Sequence, residues 1–243
     1  MKPATFLGAS IALAALFMAF PGIDEAFSHL FYVDGEKFFL KGWGPFVFLY
    51  DIVPLILRVT VGLIIIMALV RLMPDSLSNR VPAILHARGQ AIVFIVLSLA
   101  IGPGLVTNEF LKNHVDRARP AQTTEFGGTK TFTPAFIVSD QCERNCAFVS
   151  GHASMGFFFA SFGFLMIPGF RRTIVFGMAI AFGAAVGLAR IAQGAHYLSD
   201  VIFAGMINIA IAWALYHWIV TRNGLGRETL SRAWHRITGH KKT

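Results

Sequence analysis

Charge is scarce in this chain. Of 243 residues only 14% are Asp, Glu, Lys or Arg, against 55% hydrophobic. That balance excludes an ordinary soluble domain. Acidic residues are scarcer than basic ones, 13 against 21. Cysteine is limited to two residues. Internal repeats and low-complexity tracts are absent. No A-x-A cleavage motif follows the first apolar run, which extends to Ile23. A cleaved signal peptide, which Lys2 and the stretch to Phe20 would otherwise permit, is therefore disfavoured.

What the chain has is uncharged length. Apolar runs fill Pro3–Ile23, Val59–Val70, Gly89–Asn108, Ala153–Phe170, Thr173–Ala189 and Val201–Thr221. Five approach the ~20 residues a membrane-crossing helix requires. Val59–Val70 becomes long enough if it starts near Ile52 and includes Arg58, which can snorkel outward or pair with Asp51. The expectation is an all-α protein: a bundle of six transmembrane helices in one domain, 1–221, followed by a basic tail, 222–243.

Six spans put both termini on one side of the membrane. That side carries Lys2, Arg71, Arg80, Arg88, Arg171, Arg172 and the basic residues of the tail, with only Asp75 and Glu228 opposing them. The positive-inside rule makes it cytoplasmic. The net charge of +8 is thus a topology signal and gives no argument for nucleic acid as a partner. In the tail, Leu230, Trp234 and Ile237 share a helical face among basic residues, which suits either a helix on anionic headgroups or a solvated tail.

Two outer connections are long. Pro21–Tyr50 is rich in aromatic residues, mostly Phe, and poor in charge, as expected of a half-buried interfacial segment, an aromatic belt or the rim of a lipid access path. The loop from Lys112 to Val149 contains Pro120, Gly127-Gly128 and Pro134 and reads as irregular. It holds both cysteines, Cys142 and Cys146. Zinc would need further ligands nearby, and redox pairs usually show C-x-x-C spacing. A structural disulfide just before Ser150 is the leading reading.

Three short segments carry chemistry. In Ser150-Gly151-His152, at the start of the fourth run, the serine can cap the helix or donate to a phosphate oxygen. The glycine admits close backbone approach, and the histidine can protonate a leaving oxygen. His196 and Asp200 are four apart and share a helix face, so the aspartate can fix the imidazole tautomer and free the other nitrogen as a nucleophile. Lys112, Arg119 and Arg190 flank these segments. Each alone fits an interfacial anchor; together they suit a polyanion, with a phosphoryl group fitting best. Arg117 reads equally as a contact to a second phosphate or headgroup and as a surface charge. Glu109 and Asp116 look like pairing partners for the basic cluster.

The joint pattern K-x6-RP, SGH and R-x5-H-x3-D, each at an outer helix end, resembles the type-2 phosphatidic acid phosphatase superfamily over the whole chain. The resemblance implies a metal-independent lipid phosphatase without cofactor. It implies His196 as nucleophile forming a phosphohistidine, Asp200 as its orienting partner, and His152 as acid and later base. Lys112, Arg119, Arg190, Ser150 and the Gly151 amide would hold the phosphate. The chain departs from the family pattern at Val149, usually Pro, which is expected to loosen the turn. It departs again at Ala189, usually Ser, with loss of a secondary hydrogen bond.

The expected substrate is a membrane lipid phosphate, with the site on the periplasmic face of a bacterial inner membrane. Lipid A phosphates, undecaprenyl diphosphate, phosphatidylglycerol phosphate and phosphatidic acid all qualify. Phe20-Pro21-Gly22-Ile23-Asp24, Leu30-Phe31-Tyr32 and Glu125-Phe126-Gly127-Gly128 are similar to bacterial members that include lipid A phosphatases, which ranks lipid A first. A phosphotransferase using the same site is the alternative. A non-enzymatic lipid transporter is disfavoured by the presence of both histidines and Asp200, and a soluble haloperoxidase by the spans. Oligomeric state is unreadable.

Overall fold

The computed structural model describes residues 3–221, except 36, 83, 84, 86 and 87. The tail 222–243, with the face through Leu230, Trp234 and Ile237, lies outside the described residues. Helix is the dominant regular element among those described, and the β-pairing is limited to two isolated bridges, Tyr32–Phe38 and Thr123–Lys130.

Helix α1 (Pro3–Ala19) turns by 81° into α2 (Gly22–His29). Pro21 stands at the junction, where its missing N–H cannot continue α1. The long helix α3 (Gly44–Leu72) begins earlier than expected, with Pro45 in its first turn, where a fixed φ favours helix initiation. Arg58 lies inside it and donates Nε–H to the Pro54 carbonyl at 3.2 Å. It forms no ion pair with Asp51, because the carbonyl one turn back on its own helix is the nearer acceptor. Helix α4 (Gly89–Asn113) winds as a π-helix over Ala100–Phe110. Pro103 within this stretch removes one regular donor, a common cause of wider winding.

The expected fourth span, Ala153–Phe170, is instead two short helices, α5 (Gly151–Phe158) and α6 (Ala160–Leu165). They are followed by α7 (Phe170–Ala192) and α8 (Leu198–Thr221). Helix α5 packs against α7, α8, α4 and α3, and its residues are almost all buried. A helix enclosed by protein is not bound by the length that a lipid-facing one must satisfy. Among the described residues, four helices are long and apolar enough to cross a membrane: α3, α4, α7 and α8. The bent pair α1–α2 makes a fifth if it is one span.

Close packing at the centre depends on small residues. A Cβ on Gly156 of α5 would stand 2.6 Å from the Gly183 Cα of α7, so the two backbones meet where neither carries a side chain. The inner ends of Phe148, Val149, Ala153, Phe157, Val201 and Phe203 form the core beneath the site, and Phe27 and Phe31 of the outer segment pack against it. Phe38 joins Phe126 and Tyr197 in a second cluster, while Phe39 and Trp43 stay exposed. The segment Pro21–Tyr50 is thus half-buried against the protein itself.

Candidate active site

The three motif segments lie far apart in sequence and are stitched together by their backbones. Ala121 N–H donates to the Gly194 carbonyl at 2.9 Å, Ala147 N–H to the Arg117 carbonyl at 2.9 Å, and Ser150 N–H to the Asp200 carbonyl at 3.1 Å. Each bond joins a different pair of segments. Their common location at one end of α4, α5, α7 and α8 follows from the short turn after α7, where Gly194 adopts φ 68°.

His196 sits at the bottom, 1% exposed. Its Nδ1 lies 2.8 Å from the Ala147 carbonyl oxygen and 3.5 Å from Asp200 Oδ2. A carbonyl only accepts, so Nδ1 carries the proton and Nε2 keeps its lone pair. Asp200 therefore acts on His196 at longer range than a direct hydrogen bond. Its own oxygens accept from Arg117 Nη1 at 2.7 Å and from the Tyr197 N–H at 2.8 Å. Burial pushes the His196 imidazole down to about 3, against the raising pull of Asp200. It is neutral at ordinary pH, as a nitrogen nucleophile must be.

Two of the cations, Lys112 and Arg119, meet at one residue that the motifs do not include. Lys112 Nζ donates to Asn145 Oδ1 at 2.8 Å, and Arg119 Nη2 to the Asn145 carbonyl at 2.8 Å. Burial holds the Arg119 guanidinium below its ordinary value, while leaving it charged at neutral pH. The third cation, Arg190, donates Nη1–H to Gln193 Oε1 at 2.6 Å, and its buried Nε has no protein partner. A buried donor without an acceptor is costly, and an anionic ligand would supply one.

Tyr50 of α3 joins two of the predicted residues. The His152 imidazole stacks on its ring, 4.5 Å between centroids and 18° from parallel. The Arg190 guanidinium carbon lies 4.6 Å from the same ring centroid. His152 is also within electrostatic range of Arg190, Lys112 and Arg119. The structure thus gathers His152 and the three cations around one space.

Ser150 caps α5, its Oγ accepting from the Ala153 N–H at 3.4 Å. The cap uses a lone pair and leaves the hydroxyl proton to donate. A Cβ on Gly151 would meet Asn108 Oδ1 at 2.7 Å and Lys112 Nζ at 3.3 Å, so a larger residue would push on Lys112. Val149 does not leave the expected loose turn. It is fully buried, and the Ser150 N–H bond to Asp200 fastens the turn to α8.

Arg117 is neither a substrate cation nor a surface charge. It is completely buried and bridges Asp24 and Asp200, at 2.8 and 2.7 Å. It also donates to Ser199 Oγ at 2.9 Å and to the Thr133 carbonyl at 2.8 Å, and packs 4.2 Å from the Tyr197 ring centroid. The two buried carboxylates raise its affinity for the proton despite the burial. Among the described residues, Glu109 and Asp116 form no ion pair with Lys112, Arg119 or Arg190; the buried carboxylates Asp24 and Asp200 pair with Arg117 instead. The disulfide Cys142–Cys146 is present.

A family model described as the PAP2 superfamily matches residues 91–224. The chain belongs to this superfamily. It is similar to the lipid A 4'-phosphatase of Francisella tularensis subsp. novicida (strain U112), with 34% identity over 201 residues, 82% of this chain and 87% of that one. The lipid A 4'-phosphatase of Rhizobium leguminosarum is 33% identical over 216 residues, 84% and 90% of the two chains. A lipid A 1-phosphatase of Rhizobium etli is 38% identical over a shorter stretch, 45% of this chain and 44% of that one. The fold is shared with the crystal structure of a transmembrane PAP2 type phosphatidylglycerolphosphate phosphatase from Bacillus subtilis, with a TM-score of 0.52 over 89% of this chain and 95% of that chain at 17% identity.

The PAP2 motifs do not name every residue at this site. Tyr50, Asn145, Asp24, Ser199 and the Ala147 carbonyl escape motif reasoning. Only Asp24 left a signal, a carboxylate in a largely apolar stretch that needs a buried partner. A backbone carbonyl has no identity in sequence, and nothing about Asn145 marks it in advance.

Proposed function

We propose that this protein hydrolyses a phosphate monoester of lipid A, the 4' phosphate first, at the outer membrane–water boundary. The observation that carries the chemistry is His196: neutral, with Nδ1–H tied to the Ala147 carbonyl and Nε2 free. Similarity to lipid A 4'-phosphatases over most of both chains supports the substrate.

His196 Nε2 attacks phosphorus as the P–O bond to the sugar breaks. Once the substrate phosphate offsets the three surrounding cations, His152 carries a second proton; it gives that proton to the leaving alkoxide, and a phosphohistidine forms. His152, now a base, takes a proton from water as the water oxygen attacks phosphorus. Phosphate leaves and His196 is restored. Lys112, Arg119, Arg190, Ser150 and the Gly151 amide neutralise the oxygens in both steps. Asp200 stabilises the His196 cation that develops during attack. Fixed cations supply the charge that a metal ion provides elsewhere.

In topology, we place the site on the periplasmic side of a bacterial inner membrane with both termini cytoplasmic, supported by the basic residues between the spans. This reading takes α1–α2 and α5–α6 as the two short members of a six-span set.

The test is phosphate release by purified, detergent-solubilised protein with chelator present. Lipid A, undecaprenyl diphosphate, phosphatidylglycerol phosphate and phosphatidic acid are offered side by side. Lipid A is expected to lose its 4' phosphate, and His196→Ala to lower turnover by on the order of a thousandfold or more while lipid binding survives. Equal turnover by His196→Ala would overturn the mechanism. Release from another of the lipids alone would overturn the substrate. Release only when a lipid acceptor is added would make the protein a phosphotransferase.

A further inference from the structure

The segment Asn145-Cys146-Ala147 touches both the Lys112–Arg119 segment and His196. Asn145 Oδ1 accepts from Lys112 Nζ and its carbonyl from Arg119 Nη2, both at 2.8 Å. Cys146 N–H donates to the Lys112 carbonyl at 3.2 Å. The Ala147 carbonyl holds His196 Nδ1 at 2.8 Å. Between Asn145 and Ala147 stands Cys146, bonded to Cys142 across a separation of 4 residues.

We propose that this disulfide loop is a positioning element for catalysis: Asn145 holds Lys112 and Arg119 in register for phosphate, and the Cys142–Cys146 bond keeps Asn145 in place. The inference rests on the reading of Lys112 and Arg119 as phosphate holders.

Three observations favour positioning over general stabilisation. A cross-link closing so short a loop removes little entropy from the unfolded chain compared with one closing a long loop. Its effect is therefore mainly local. The loop residues Glu143, Arg144 and Asn145 are exposed, so they contribute little to the core. Asn145 adopts φ 53°, a left-handed conformation that asparagine tolerates better than most residues. That conformation lets its side chain and its carbonyl address two different cations. Both acceptors are neutral oxygens, so they orient the cations without cancelling the charge that phosphate requires.

The same contacts exclude a simple alternative in which a carboxylate sets the cations. Neither Lys112 nor Arg119 forms an ion pair with a described carboxylate, and the first acceptors they meet belong to this loop.

The test compares wild type, Asn145→Ala, Asn145→Asp and the double variant Cys142→Ser/Cys146→Ser, together with wild type treated with dithiothreitol. The dithiol reduces the S–S bond to two thiols and closes to its own disulfide, so electrons and protons balance. Binding of orthovanadate, a phosphate mimic, is measured by calorimetry, and KM and kcat for lipid A are measured in parallel. Thermal midpoints are recorded for each protein.

A hydrogen bond to a charged group is worth about 1.5–3 kcal/mol, so Asn145→Ala is expected to weaken orthovanadate binding and raise KM by about tenfold or more. The fall in kcat is expected to be smaller, and the thermal midpoint to drop only by the modest amount that alanine at φ 53° costs. Asn145→Asp, which retains an acceptor, restores part of the binding. Reduction and the double cysteine variant move in the same direction as Asn145→Ala. Unchanged orthovanadate binding in Asn145→Ala overturns the proposal, as does tighter binding, which would make the loop an obstruction. A lower midpoint with unchanged KM in the cysteine variants overturns the part assigned to the disulfide. Failure of wild type to hydrolyse lipid A while orthovanadate binding follows the expected order would sink the substrate reading and leave this one standing.

Discussion

Arg117 and Asp24 are 93 residues apart in sequence and meet at 2.8 Å, with neither side chain more than 1% exposed. Asp24 reaches the site from α2 and Asp200 from α8, and the guanidinium closes the gap between them. Ser199 strengthens the junction: its N–H donates to Asp24 Oδ1 at 2.8 Å and its hydroxyl bonds to Asp24 Oδ2. The bent helix pair α1–α2 is therefore locked to the helix that carries Asp200, although neither Arg117 nor Asp24 is a defining residue of the three motifs.

Arg117→Met should destabilise the protein by about 3–5 kcal/mol, because two buried carboxylates lose their shared counter-charge. Arg117→Lys should recover only part of that loss, since a single ammonium cannot fork to both carboxylates and pack flat on the Tyr197 ring. Thermal unfolding in detergent measures both. A midpoint unchanged in Arg117→Met would refute the clamp.

The neutral state of His196 has a pH consequence. Its ordinary value of 6.5 applies to the unfolded chain, while in the folded protein burial takes it to about 3. Between those limits the unfolded chain binds a proton that the native state does not, so stability is full above about 6.5 and falls as pH drops towards 3. Comparing thermal midpoints of wild type and His196→Gln from pH 7.5 to 4 isolates this contribution. Wild type is expected to lose stability more steeply, and parallel curves would exclude His196 as the source.

Tyr50 is expected to matter through its ring. Tyr50→Phe keeps both the His152 stack and the Arg190 contact and should leave kcat/KM within about twofold. Tyr50→Ala removes an aromatic stack and a cation–π contact, each worth roughly 0.5–1.5 kcal/mol, and should lower kcat/KM by about tenfold. Steady-state phosphate release distinguishes the two. Equal activity of the Phe and Ala variants would assign the ring no role.

The helical class, the four long apolar helices and the three motifs were legible in the sequence because each depends on local information. Apolar run length reports membrane crossing, and three residues such as Ser-Gly-His report a turn entering a helix. Where local signals compete with surroundings, the reading was less complete. The segment Gly151–Leu165 is apolar along its length, and hydropathy alone cannot separate a helix facing lipid from one enclosed by its neighbours. Arg117 offered a charge and no address. Its burial follows from where α2 docks, and no spacing rule contains that.

By itself the sequence determined which groups are present: two histidines, an aspartate and three cations at or near the ends of apolar helices, and two cysteines in the loop before α5. The tertiary structure alone decided what each of them touches. It set the Ala147 carbonyl on His196 Nδ1, Asn145 between Lys112 and Arg119, Tyr50 between His152 and Arg190, and Arg117 between two aspartates. These contacts join segments dozens of residues apart, and two of them use backbone carbonyls, those of Asn145 and Ala147. They exist only once the helices have packed.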